Sequence, residues 1–94
     1  MTWYRLIKNG EPVGNIDITA KGFSFMDVET AHRQEVLTQL KGEVTAAPVT
    51  IDGADFLFVR PRGTMLEMLV HLRHVLNESA YDLADDLSKY NDRD

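Results

Sequence analysis

Ninety-four residues, 44% of them hydrophobic and 27% charged, supply one modest core and are too apolar for a disordered chain. The absence of cysteine excludes a disulfide framework, thiolate chemistry and any Cys-ligated zinc site. The formal charge of −5 is uneven: residues 1–74 hold eight Lys/Arg against nine Asp/Glu and residues 75–94 two against six, which argues against nucleic-acid binding by the surface as a whole.

The opening MTWYRLIKNG places charge and a turn where a signal peptide needs an apolar core, and no apolar run is long enough to span a bilayer. A cytoplasmic protein with no membrane attachment is expected. Thr2 to Lys8 is rich in aromatic and branched residues and ends at Asn9-Gly10, the dipeptide best suited to a tight hairpin. Pro12 to Thr19 reads as the return strand. Its proline, lacking an N–H, places the strand start at or near a sheet edge. After a turn at Lys21-Gly22, Gly22 to Met26 alternates as a third strand, giving an antiparallel meander. Strand alternation allows either Trp3 and Arg5 or Tyr4 and Leu6 to face inward. If Tyr4 and Leu6 are inside, Trp3 lies beside Arg5 on the open face.

Asp27 is expected to cap a first helix of about 13 residues, with Val28, Ala31, Val36, Leu37 and Leu40 on its apolar side and Gly42 as its stop. Residues 43–47 form a connector without pattern. Val49 to Ile51, Asp52-Gly53 and Asp55 to Arg60 read as a second hairpin. Phe56 to Val59 is apolar on both faces, as a central strand requires. Thr64 with Glu67 makes a T-x-x-E capping box. From there the apolar spacing predicts one helix from Thr64 to Asn91, bent if anywhere near Asn77: a broad apolar half to Leu76, then a narrow acidic half along Ala80, Leu83, Leu87 and Tyr90.

The expected fold is therefore a single α+β domain over residues 1–94, in the order β-β-β-α-β-β-α. An antiparallel sheet of about five strands is covered on one face by two helices, the C-terminal one long, with residues 78–94 as an acidic helical extension. A narrow apolar stripe on a charged rod is the pattern of a helix that pairs with another. The expected function is accordingly a small protein-binding or regulatory module, homodimeric, meeting another protein through its acidic helix and exposed sheet face. Trp3, Leu83, Leu87, Tyr90, Asp82, Asp85 and Asp86 are the candidate interface residues.

Other chemistry is thinner. Arg60 and Arg62 beside a helix N-terminus, with Arg73, make a candidate contact for an anion or nucleic acid. The alternative function is thus a nucleic-acid-binding accessory protein using Arg5, Lys8, Arg60, Arg62 and Arg73. Glu67, His71, His74 and Glu78 share one helix face, but a solvated polar face gives the same row. No metal site and no cofactor is assigned, and His32 is the one further candidate ligand. No nucleophile beside a base and no phosphate loop is present, so no catalytic residue is named and the chain is read as a non-enzyme.

Overall fold

Asn9 and Gly10 both take positive φ (52° and 84°), the backbone of a two-residue hairpin, and so join β1 (Thr2–Lys8) to β2 (Glu11–Thr19). The computed structural model describes residues 2–85, with backbone only at Thr2 and Asp85. β3 (Gly22–Met26) completes the meander. α1 (Thr30–Gln39) follows, then a second hairpin of β4 (Val49–Ile51) and β5 (Ala54–Phe58) turning at Asp52-Gly53. α2 (Met65–Leu76) runs into a short 3₁₀ turn, Asn77–Ser79, and the described chain closes with β6 (Tyr81–Asp85).

The strands form one six-stranded antiparallel sheet, ordered β4-β5-β3-β2-β1-β6. The α+β architecture with two helices on one face is as the sequence leads one to expect, with one strand more. β2 lies inside the sheet, not at its edge. Pro12 is tolerated at its start, where the β1–β2 register shifts between Leu6 and Ile7. β5 is interior too, and its approach to β3 depends on Gly22, where a Cβ would stand 2.0 Å from the Leu57 carbonyl oxygen.

The core lies between sheet and helices. Tyr4, Leu6, Ile16, Ile18, Phe23 and Leu57 point down from the strands onto Val36 of α1, Leu40 at its C-cap, and Met68, Leu69, Leu72 and Leu76 of α2. Thr64 Oγ1 accepts the Glu67 N–H at 3.1 Å, the N-cap bond that fixes the start of α2. α1 departs from expectation at its start. Asp27 sits at φ 56° in a turn, Glu29 is the N-cap without a side-chain hydrogen bond, and the helix spans only ten residues.

The largest correction concerns residues 78–85. Helix ends at the 3₁₀ turn, Ala80 takes left-handed backbone (φ 64°), and Tyr81–Asp85 is a strand pairing with β1 from Tyr4↔Asp85 to Lys8↔Tyr81. Two forces favour this. The second edge of β1 carries unpaired N–H and C=O groups that a strand satisfies and a helix does not. Tyr81, Asp82, Leu83 and Ala84 also alternate, burying Tyr81 and Leu83 against α2 while Asp82 and Ala84 turn outward. The end of the helix is held from the hairpin: Lys8 Nζ donates to the Ser79 carbonyl at 2.5 Å, and the Asn9 N–H to the Ala80 carbonyl at 3.0 Å. The expected helix beyond Asp85, with Leu87 and Tyr90, lies outside the described residues.

Candidate functional site

One row of side chains crosses the sheet on the face away from the helices. Trp3 pairs with Asp17, Asp17 with Ser24, Ser24 with Phe56 and Phe56 with Val49, so a single register line runs through β1, β2, β3, β5 and β4. Between the two aromatics stand only short polar side chains. With strands about 4.8 Å apart, Trp3 and Phe56 are separated by roughly 14 Å across a low floor. The result is a groove of about 400 Å³.

Trp3 and Phe56 form its walls, Met26 and Ile51 widen them, and Asp17 and Ser24 make the floor, with Asp52 at the rim. Phe56 is braced edge-on by Phe58, with ring centroids 5.0 Å apart at 73°. Gly22 leaves room for that ring, since a Cβ there would come within 3.1 Å of Phe56 Cε1. The floor is polar but not satisfied: Asp17 Oδ1 is shielded from solvent and accepts no hydrogen bond among the described residues. Beside the groove, β4 is a three-residue edge strand whose Val49 and Ile51 are exposed. An apolar, concave sheet face continuous with an open strand edge is a surface shaped for a partner.

Trp3 is half-buried on this face while Tyr4 and Leu6 are in the core, the arrangement that strand alternation allows. Leu83, expected on an intermolecular seam, is instead 2% exposed in the core of its own chain. A residue spent on its own sheet is not available to a second subunit. Asp82 accepts from Arg73 Nε at 3.1 Å and from the Leu83 N–H at 2.8 Å. Asp85 ends β6, and Asp86, Leu87 and Tyr90 lie outside the described residues.

The basic residues do not converge. Lys8 stands at the Asn9-Gly10 end of the sheet, whereas Arg60 and Arg62 follow β5 at the opposite end, where Arg62 N–H donates to Ala20. Nine residues of β2 separate these ends by roughly 30 Å. Arg62 Nη2 is 3.4 Å from Glu43 Oε1, which also receives His71 Nε2 at 2.5 Å. Arg60 Nη2 reaches the Gly42 carbonyl at 3.5 Å. Glu43 thus gives Arg62 a carboxylate partner from within the chain. Among the described residues no group of three or more His, Asp or Glu side chains is placed to hold a metal ion.

A second polar cluster was not legible in the sequence. Tyr81 O–H donates to Glu35 Oε1 at 2.8 Å, and with its proton so committed its oxygen accepts from His32 Nδ1 at 2.8 Å. Lys8 Nζ lies 3.5 Å from Glu35 Oε2 and 4.3 Å from the centre of the Tyr81 ring. Burial pushes the Tyr81 hydroxyl up to about 12, with the Glu35 hydrogen bond and charge adding to it. The same hydrogen bond holds Glu35 below its ordinary value, aided by Lys8 and opposed by desolvation. This cluster bolts α1 to β1 and β6, and every polar group in it faces another of the same chain.

No protein-family model, curated protein or solved structure matches the chain, so its function has to be read from its own residues. Among the described residues no helix is long and apolar enough to cross a membrane.

Proposed function

We propose that this chain is a protein-binding module that meets its partner through the open face of the sheet. The observation that carries the reading is the groove between Trp3 and Phe56, an apolar trough held in register by five strands and continuous with the exposed β4 edge. Large rigid aromatics set in a preformed concavity concentrate binding energy and cost little entropy on association. The acidic helix expected to share this role is not part of the proposal, because residues 81–85 are a strand. Nucleic-acid binding is the weaker reading. Lys8, Arg60, Arg62 and Arg73 are each engaged within the chain, and they are spread over both ends of the sheet.

The test compares capture from the native lysate by the wild-type protein, by Trp3→Ala and Phe56→Ala, and by the pair Arg60→Ala/Arg62→Ala, with and without nuclease. A discrete protein partner retained by the arginine variant and lost from both aromatic variants is expected. Retention of nucleic acid that falls steeply with salt and disappears with the arginines would overturn the reading.

A further inference from the structure

We infer that the groove between Trp3 and Phe56 is a receptor for an arginine side chain presented by the partner protein, with Asp17 as its counter-charge. This rests on the sheet face being the binding surface and adds what that surface recognises. Apolar walls alone would accept any aliphatic or aromatic side chain. The floor makes the difference.

Asp17 stands mid-row between β1 and β3, its Oδ1 shielded from solvent and accepting no hydrogen bond among the described residues. A buried carboxylate oxygen left in that state is costly, and the cost is recovered by a donor entering the groove. Ser24 beside it is 9% exposed and adds a short hydroxyl to the same floor. Asp52 at the rim contributes a second negative charge at the mouth. The site therefore asks for a cation at the bottom of an aromatic slot.

Of the two basic side chains, arginine fits the slot better. Its planar guanidinium stacks on aromatic faces and gives up its hydration more readily than an ammonium, and its fork can reach both Asp17 and Ser24. Its aliphatic stem would lie against Met26 and Ile51. A side chain carried on a polypeptide is favoured over free arginine, which has no extended backbone to lay along the neighbouring strand. The exposed β4 edge beside the groove offers hydrogen-bonding positions for an extended backbone bearing that arginine.

Trp3 is the only tryptophan in the chain, so its indole N–H resonance reports directly on this wall. The wild-type protein and Asp17→Asn, an almost isosteric change, are titrated with acetyl-arginine methylamide, with acetyl-norleucine methylamide and with free arginine, and folding of the variant is checked from its amide spectrum. The capped arginine should shift the indole signal with at least a tenfold lower Kd than the capped norleucine, and Asp17→Asn should erase that preference. Equal binding of arginine and norleucine in both proteins would overturn the arginine assignment and leave an apolar groove in place. Tighter binding of free than of capped arginine would overturn a protein source. No response to any probe would count against the groove as a binding surface altogether.

Discussion

The hydroxyl of Tyr81, on the last described strand, donates to Glu35 on the first helix across 2.8 Å. That bond, joined by His32 and Lys8, links three elements far apart in the chain, and it ionises only with difficulty. The folded state holds the Tyr81 proton more tightly than the unfolded chain, because the ordinary value near 10 is raised to about 12. The stabilisation is therefore complete below pH 10 and is lost as pH rises from there toward 12. Urea denaturation across that range should show stability falling by about 1–3 kcal/mol in the wild type. Tyr81→Phe should be weaker by about 1–2 kcal/mol at neutral pH and should lack that alkaline component.

The opposite sign applies at Glu35, whose carboxyl is held below its ordinary value of 4.5 chiefly by Tyr81. Its contribution is present above pH 4.5 and is lost as pH falls through its lower folded value. Glu35→Gln should flatten the acid limb of a stability–pH profile, and an unchanged limb would mean that the bond does not persist in solution.

Leu83 distinguishes a core strand from an intermolecular seam. Since its side chain is buried in its own chain, Leu83→Ala should cost about 2–5 kcal/mol without changing the molecular mass measured by light scattering. A dissociated but equally stable variant would restore the seam.

Ala80 occupies left-handed backbone at φ 64° without being glycine. Ala80→Gly should raise stability by about 0.5–1 kcal/mol, the relief of Cβ strain exceeding the added unfolded-state entropy. Thr64→Ala should cost about 1 kcal/mol by removing the oxygen that accepts the Glu67 N–H. Both are read from the urea midpoint at constant m-value.

Much of this fold is written locally. Asn9-Gly10 and Asp52-Gly53 name their hairpins, Thr64 with Glu67 names a helix start, and the doubly apolar Phe56 to Val59 names an interior strand. What failed was decided by distant partners. Tyr81 to Asp85 satisfies a helical stripe and a two-residue alternation equally, and only the vacant edge of β1 settles the choice. Asp27 looks like a helix cap, yet it is taken up in the turn that leads from β3 to α1. Of the site, alternation gave the outward face of Trp3. The groove itself needs Asp17, Ser24 and Phe56 brought into one line by pairings between strands well separated in sequence, and no local pattern encodes that register.

Because β6 pairs with β1, the first described strand is completed by the last one described. Until Tyr81–Asp85 leaves the ribosome, β1 has a bare flank and α2 lacks Tyr81 and Leu83 beneath it. Nascent chains arrested before residue 81 should therefore expose a sticky strand edge and engage holdase chaperones, and release should coincide with the emergence of β6. In this chain the ends of the described polypeptide act as a clasp, and the flank of β1 and the underside of α2 are not covered until the clasp is made.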